Sequence, residues 1–274
     1  MVEKIKQEIE KTPEEQLKEM EKIVEEKEKR IDEKITKEVI EELEKEDKRE
    51  SWEDRIARED REKLDSWVPK TQLGKDVRAG KVKNIDEVFA SGRKVMESEI
   101  VDLLVPHLKS DLLFIGQAKG KFGGGKRRAW KQTQKKTKEG NVLTFGVMAV
   151  VGDGNGHVGI GVGRASETLP AKEKAIRKAK LNLIKFPRGC ASYDCSCDEP
   201  HSIPVAVSGK CSSVKLHLMP APQGTGLVVG NEVKKILKLA GIKDVYGKIR
   251  GKSRTTMNVA KACIEALTKI GEFQ

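Results

Sequence analysis

Residues 142–163 hold two apolar runs around a glycine-rich turn, and this pattern constrains the fold more than any other part of the chain. The first run, VLTFGVMAVV, has the length and composition of a buried strand. The GDGNG that follows contains Asp-Gly and Asn-Gly, which favour a tight hairpin turn. The second run, HVGIGVG, has glycine at every second position, so one face of this strand carries no side chains. The pattern predicts an antiparallel hairpin with either a helix or an RNA backbone lying close to the glycine face.

The segment after the hairpin, PAKEKAIRKAKLNLIKF, predicts an amphipathic helix over 170–186 with Pro170 in its first turn. Ala171, Ala175, Ala179 and Leu183 recur every four residues and form its apolar stripe. The opposite face is basic and contains Lys172, Lys174, Arg177, Lys178 and Lys180. Hairpin and helix together predict a first α+β unit over 111–187.

A second α+β unit is predicted over 204–274, after a turn-rich connector over 188–203. The stretch VAVSGKCSSVKLHLMPAP predicts a strand pair that turns around Ser208 and Gly209. GLVVGNEVKKILKLAG predicts a helix that ends at Gly241, and DVYGKIRG predicts another strand. TTMNVAKACIEALTKIG predicts a last helix capped by Gly271.

Upstream of these units the chain is helical in character. NIDEVFASG and MESEIVDLLVPHL predict two short helices within a lead-in over 66–110. Residues 1–65 consist mostly of Glu and Lys with one narrow apolar stripe, which predicts a long exposed helix or a weak coiled coil. This charged extension is either an arm that reaches a partner or a solvated tail.

The charge is distributed unevenly along the chain. Residues 1–65 carry 17 Lys and Arg against 25 Asp and Glu, whereas the remainder carries 37 against 18. A strongly basic body favours a polyanionic partner, and nucleic acid is the first candidate because bound phosphates release counterions. The alternative is a basic protein without such a partner.

Membrane and secretory classes receive no support from the sequence. Apolar runs stay shorter than the roughly 18 residues that cross a bilayer, and the N-terminus lacks the apolar core of a signal peptide. Five cysteines without a secretory signal favour a reduced, cytoplasmic protein.

Two glycine motifs raise the rival hypothesis of an NTPase or another free-standing RNA-directed enzyme. Gly120, Gly125 and Lys126 match the start of a phosphate-binding P-loop, but Arg127 replaces the Ser or Thr that binds magnesium. Residues 154–159 match G-x-G-x-x-G, yet a strand follows where a dinucleotide site requires a helix. The histidines lie outside recognisable nucleophile motifs, and His157 beside the hairpin turn is interpreted as a surface or RNA contact.

Four side chains in the connector are of the types that bind zinc. Cys190, Cys195, Cys197 and His201 provide three thiols and one imidazole within twelve residues. Their spacing lacks the usual Cys-x2-Cys knuckle. A zinc site and a group of reduced cysteines therefore both remain open, and no other cofactor is expected.

The combined motifs resemble one family. GNVLTFGVMAVVGDGNGHVGIGVG with AIRKAKLNLI, and SGKCSSVKLHLMPAPQGTGLVVG with LAGIKDVYGKIRGKSRTTMNVAKA, are similar to small-subunit ribosomal protein five. WVPKTQLG and RGCASYDCSCDEPHSIP resemble the archaeal and eukaryotic branch. The resemblance covers roughly 66–274 and leaves 1–65 unaccounted for.

This resemblance implies an α+β fold. The first unit would be a double-stranded-RNA-binding-like α-β-β-β-α domain and the second a left-handed βαβ-type domain. The implied role is structural and non-enzymatic: binding small-subunit ribosomal RNA in the cytoplasm and adjoining small-subunit proteins three, four and eight. The family also helps to form the channel through which messenger RNA enters, and it supports translational accuracy.

The implied RNA contacts are basic side chains that meet phosphates. The family's hairpin loop falls near Lys135 to Asn141, where Gly140 matches and Asn141 stands in place of the usual Lys or Arg. Trp130 either stacks on a base or packs in the core. The predicted RNA-binding residues are Lys126, Arg127, Arg128, Lys131, Lys135, Lys136, Arg164, Lys172, Lys180, Arg188, Lys252 and Arg254. The first three belong to a glycine-rich basic insertion over 120–128, to which the resemblance assigns no role, and are predicted from their charge alone.

Overall fold

The computed structural model describes residues 58, 61–62, 64–118, 120, 127–191, 195, 197 and 199–272. The predicted helical extension over 1–65 lies almost wholly outside the described residues. The same holds for Lys126 and most of the glycine-rich insertion over 120–128. Chain contacts divide the protein into two units, Met1–Ser66 and Trp67–Gln274. The second unit contains every element below.

Three short helices precede the first sheet: α1 (Gln72–Arg78), α2 (Ile85–Ala90) and α3 (Ser98–Leu104). The predictions of α2 and α3 are confirmed, whereas α1 is an addition. Thr71 caps α1, because its hydroxyl oxygen accepts a hydrogen bond from the Gly74 amide at 3.1 Å.

The first sheet has five strands: β1 (Lys109–Leu112), β2 (Trp130–Thr137), β3 (Gly140–Gly152), β4 (His157–Ala165) and β5 (Leu183–Lys185). Their order is β1-β3-β4-β5, and β2 pairs with the other end of β3. β3 and β4 form the predicted hairpin, with Gly152 opposite Val158.

The helix after the hairpin, α4 (Thr168–Leu181), is shorter than predicted. Residues 183–185 form β5 instead, so the prediction of a helix up to residue 186 is wrong. The open edge of β4 accounts for this, since Ile184 pairs with Val158 across it and Leu183 is buried. Asn182 ends the helix outside helical backbone geometry.

The glycine face of β4 is covered by a helix. A Cβ atom on Gly159, Gly161 or Gly163 would lie only 2.3, 2.2 or 2.1 Å from carbonyl oxygens of α4. The residues of α4 above them are buried alanines, Ala171, Ala175 and Ala179. Small side chains on both surfaces let α4 approach closely, which settles the alternative between a helix and an RNA backbone in favour of the helix.

The second sheet contains β6 (Val207–Cys211), β7 (Val214–Pro220), β8 (Leu227–Val228) and β9 (Val245–Arg250) in the order β6-β7-β9-β8. β8 and β9 are parallel, whereas the other pairs are antiparallel. Two helices accompany this sheet: α5 (Asn231–Ala240) and α6 (Thr256–Glu272). The chain therefore has a mixed α+β fold with two sheets.

One turn prediction in the second unit is wrong. The β6–β7 hairpin turns at Ser212 and Ser213, with Ser212 at φ 56°, and not around Ser208 and Gly209. Gly209 lies within β6 beneath α6, where a Cβ would be 2.0 Å from the Ala262 carbonyl oxygen. Gly209 thus allows a helix to approach, as Gly161 does in the first sheet.

The ends of the last two helices differ in how well they were predicted. α5 ends at Ala240, and Gly241 follows in the left-handed region at φ 84°, which confirms the predicted end. α6 continues through Gly271 to Glu272, so Gly271 is not its cap.

Among the described residues, no helix is both long and apolar enough to span a membrane.

The β3–β4 turn binds the two sheets together. The amides of Gly154 and Gly156 donate to the carbonyls of Leu239 and Ala240 at 2.9 and 3.1 Å, at the C-terminus of α5. These carbonyls lack partners within the helix, so the turn supplies them. The same two glycines belong to the G-x-G-x-x-G match, whose role is therefore packing. A common apolar core joins the sheets through Met148, Val150, Val158, Ile236, Leu237 and Leu267.

His157 is buried, which corrects its interpretation as a surface or RNA contact. Its Nδ1 lies 2.6 Å from Asp153 Oδ2 and its Nε2 lies 3.0 Å from Asp86 Oδ1. The ring stacks on Phe89, and Lys185 pairs with Asp86 at 2.9 Å. This cluster fixes α2 against the start of β4, the strand that follows the hairpin turn.

The cluster makes stability depend on pH. Burial opposes protonation of His157, but its hydrogen bonds to Asp153 and Asp86 and their charges outweigh burial and raise its pKa above about 6.5. The folded state therefore binds this proton more tightly than the unfolded chain. The stabilisation is complete below about pH 6.5 and is lost as pH rises through the raised pKa.

We expect the free energy of unfolding of the unmodified chain to fall as pH rises above about 6.5 and through the raised pKa of His157, and to change much less in His157→Gln. Urea titrations at several pH values measure this. His217→Gln, on β7, is the matched histidine control. An undiminished pH dependence in His157→Gln would show that other groups cause it.

Candidate nucleic-acid interface

The hairpin of β2 and β3 projects beyond the rest of the first sheet, and we call residues 131–144 the ribbon. β4 pairs with β3 only as far as Phe145, opposite Ala165, so the ribbon strands pair only with each other. β2 is exposed along almost its whole length. The ribbon turns at Lys138 and Glu139, which confirms the predicted loop near Lys135 to Asn141. Two-stranded hairpins are marginally stable alone, so the ribbon suits contact with a partner.

The ribbon presents cations on both faces. Lys131, Lys135 and Lys136 are exposed along β2, and Lys138 is exposed at the turn. Side chains alternate along a strand, so Lys131 and Lys135 share one face while Lys136 occupies the other. The four-residue interval places the first two about 13 Å apart along the strand. Such a ribbon can contact phosphates on either side.

One row across the sheet combines two cations with a glycine. Lys131 lies opposite Gly146 on β3, and Gly146 lies opposite Arg164 on β4. Residues paired in this way project from the same face of a sheet. The Arg164 side chain lies 3.9 Å from the position that a Cβ on Gly146 would occupy. The glycine therefore leaves room between two exposed positive charges.

A groove of about 1240 Å³ lies at the base of the ribbon. Its lining includes Arg127, Arg128 and Trp130 from the start of the ribbon hairpin, and Ser253 and Thr256 from the segment that leads into α6. Arg127 Nη1 donates to the Arg254 carbonyl at 3.4 Å, so two predicted RNA-binding regions meet here. Trp130 is 38% exposed, which leaves its side chain open to stacking.

The α5 side of the groove carries mixed charge. Burial raises the pKa of Glu232, whose carboxylate accepts a hydrogen bond from the Phe114 amide at 3.0 Å. Lys235 lies 4.0 Å above the Phe114 ring and pairs with Asp111 at 3.0 Å. The Lys235 ammonium on this side is held by protein groups, and Arg127 and Arg128 supply the other positive charges that line the groove.

The remaining predicted RNA-binding residues fall into two groups. Lys172 on α4 and Lys252 and Arg254 between β9 and α6 are exposed. Lys180 and Arg188 have protein partners: Lys180 pairs with Asp102 at 2.6 Å, and Arg188 donates to the carbonyls of Gly154 and Gly241 at 3.1 and 3.4 Å. RNA contact by any of these residues stays a prediction.

Sequence reasoning left several exposed cations out of the predicted site. Lys174, Arg177 and Lys178 lie beside Lys172 on the outer face of α4, whereas Lys138 lies at the ribbon turn, within the loop that the family resemblance implied. The helical period had already placed the first three on the basic face, so the same signal extends the predicted surface to them.

The structure brings the four connector ligands together, and we call Cys190, Cys195, Cys197 and His201 the Cys–His cluster. Their ligand atoms all lie within 4.8 Å of one another. The hydrogen bond from the Cys197 thiol, with that from the Gln223 amide, lowers the pKa of Cys195 to about 6. The same thiol pairing raises the pKa of Cys197 to about 12.

Comparison with known proteins identifies two family matches. Residues 129–187 match the model described as ribosomal protein S5, N-terminal domain, and residues 209–274 match the S5 C-terminal domain. Both matches lie in the two-sheet body, and the first contains the ribbon.

Individual relatives extend this similarity. The chain is 48% identical over 211 residues to small ribosomal subunit protein uS5 of Nanoarchaeum equitans, covering 77% of this chain and 90% of the relative. For uS5 of Pyrobaculum arsenaticum the identity is 47% over 208 residues, covering 76% and 96%. For uS5 of Thermofilum pendens it is 46% over 207 residues, covering 76% and 95%.

Proposed function

This chain belongs to the ribosomal protein S5 family, and from that membership we propose that it binds small-subunit ribosomal RNA through the ribbon and the neighbouring groove. Its role is structural and not catalytic, in line with relatives that are small ribosomal subunit proteins. The free-standing NTPase or enzyme hypothesis receives no support from these relatives.

The exposed ribbon is the observation that carries the proposal. It holds Lys131, Lys135, Lys136 and Lys138 on a hairpin that the rest of the sheet does not cover. Lysines at fixed spacing on both faces supply phosphate contacts without sequence reading. Arg127 and Arg128 extend this charge into the groove, where Trp130 is available to stack on an unpaired base.

The finer fold assignments belong to the same proposal. Residues 111–187 would form the double-stranded-RNA-binding-like domain, supported by the succession of β2, β3, β4 and α4. Residues 204–274 would form the left-handed βαβ-type domain, supported by the parallel β8 and β9 with α5 between them.

The partners are proposed from family membership. In a cytoplasmic ribosome, the protein would adjoin small-subunit proteins three, four and eight near the channel that messenger RNA enters, and would support accurate decoding. Exposed apolar side chains such as Met96, Leu169 and Val228 offer surfaces for protein contact.

The proposal predicts that the chain migrates with the small ribosomal subunit. Expressed with a tag in a cell that makes archaeal-type ribosomes, it should sediment in the small-subunit peak of a sucrose gradient. Rising salt should release it gradually, because salt competes with phosphate contacts. Absence from that peak at low salt would contradict the proposal.

A further inference from the structure

The Cys–His cluster is closed at its base by backbone pairing. The Gly189 amide donates to the Ser202 carbonyl at 3.0 Å, and the Ser202 amide donates back at 2.9 Å. Cys190 and His201 are the next residues inside this bridge, so the two ends of the ligand sequence are held side by side. Cys195 and Cys197 lie at the same point, within the 4.8 Å limit. The irregular sequence spacing therefore no longer argues against a common site.

The ligand atoms lie close to the separation that a small tetrahedral ion requires. Zinc bonds of about 2.3 Å to sulfur and 2.0–2.1 Å to nitrogen place neighbouring ligand atoms about 3.5–3.8 Å apart. Cys195 Sγ lies 3.4 Å from His201 Nε2. Small side-chain adjustments bring separations within the 4.8 Å limit to the tetrahedral value.

The orientation of His201 is the second, independent observation. His201 is 1% exposed, and its Nδ1 lies 2.8 Å from Asp244 Oδ2 while Nε2 faces the thiols. Although these two atoms lie close together, the buried Nδ1 has no formed hydrogen bond to any of the described residues. A carboxylate behind the outer nitrogen of an imidazole is the usual arrangement around a metal-binding histidine.

Asp244 is itself held in place. It is buried, and its Oδ1 accepts a hydrogen bond from the Gly226 amide at 2.7 Å. The backbone amides of Lys243 and Asp244 donate to the His201 carbonyl at 2.8 and 3.2 Å. Ser202 Oγ donates to the Asp244 carbonyl at 2.6 Å. The imidazole is therefore oriented by a rigid support, which a random group of cysteines and a histidine would not require.

We propose that the Cys–His cluster binds one zinc ion through three thiolates and His201 Nε2. Thiolate and imidazole ligands select zinc over magnesium or calcium, which prefer oxygen. Four protein ligands complete a tetrahedral site and leave no position for substrate, so the role is structural. The ion would fasten the connector to the start of β9 through His201 and Asp244. This proposal rests on the cluster geometry and not on RNA binding.

The test uses the full chain, freed of metal under reducing conditions and titrated with Co²⁺ as a visible probe of thiolate sites. One equivalent should bind with the charge-transfer and d–d bands of a tetrahedral sulfur site, and Zn²⁺ should displace it. Cys197→Ser should lose these bands, whereas Cys211→Ser, which removes a half-buried cysteine outside the cluster, should keep them. Asp244→Asn should keep the bands and weaken the affinity about 10- to 100-fold.

Three outcomes would overturn the proposal. The first is an unmodified chain that produces no cobalt bands, and the second is a Cys197→Ser variant that binds Co²⁺ as Cys211→Ser does. A disulfide within the cluster of the freshly isolated protein, seen as a mass two hydrogens lower, would also exclude three thiolate ligands. None of these results bears on sedimentation with the small subunit, so failure of this proposal is distinguishable from failure of the ribosomal one.

Discussion

Gly161→Ala is expected to cost about 3 kcal/mol or more of folding free energy, because its added methyl group enters a space already filled by backbone. The new Cβ would lie 2.2 Å from the Ala175 carbonyl oxygen and 2.3 Å from the Ala179 amide nitrogen. Neither atom can rotate away, so α4 must move off the sheet. Small domains have only about 5–15 kcal/mol of stability in total, so this loss should lower the urea concentration at the unfolding midpoint substantially.

The matched control is Gly146→Ala, on the neighbouring strand β3. Its added Cβ would meet the nearest atoms at 3.7 and 3.9 Å, which is ordinary contact. Its stability should stay within about 1 kcal/mol of the unmodified chain. Urea unfolding followed by circular dichroism measures both variants. Equal stability of the two variants would show that α4 adjusts freely, against the close packing described above.

The first unit could be predicted largely from local patterns. The β3–β4 hairpin and α4 follow from periods of two and about four in the sequence. The end of α4 could not be predicted, because Leu183 continues the apolar stripe of the helix. Its entry into β5 depends on the free edge of β4, some 25 residues earlier in the chain. Pairing at that distance leaves no local signal.

A glycine in the sequence marks a position without a side chain, but it does not tell whether a turn or a closely packed helix requires it. The alternation of Gly159, Gly161 and Gly163 predicts a covered face because three positions agree. Gly209 stands alone beside a serine and resembles a turn, although it serves the same purpose under α6. The actual turn uses Ser212 at positive φ, which sequence preferences disfavour.

For the candidate sites, too, the residue types could be read from the sequence, whereas their partners in the fold could not. The positive charge of Lys180 and Arg188 is visible in the sequence, but their partners Asp102 and Gly154 lie 78 and 34 residues away. The Cys–His cluster was ambiguous because ligand types are local, whereas the bridge between Gly189 and Ser202 that gathers them is seen only in the fold. Ribbon strand β2 has no apolar alternation, so only its resemblance to a family predicted it.

Replacing Lys131, Lys135 and Lys136 together with Gln should weaken binding to transcribed small-subunit ribosomal RNA about a hundredfold. This assumes about 1 kcal/mol for each exposed cation–phosphate contact. The slope of log affinity against log salt should fall by roughly three, one for each phosphate no longer neutralised. Filter binding at several salt concentrations measures both quantities. Gln keeps the β2–β3 ladder intact, because the ladder bonds are made by backbone.

The control removes the same charge elsewhere: Lys75, Lys83 and Lys94, all exposed in the helical lead-in, are replaced with Gln. If the ribbon forms the interface, this variant should retain nearly the full affinity and salt slope. Equal losses in the two variants would mean that overall charge, and not the ribbon, determines binding, since a long-range field depends little on which lysines supply it. A decrease confined to the ribbon variant assigns the phosphate contacts to the hairpin that projects from the first sheet.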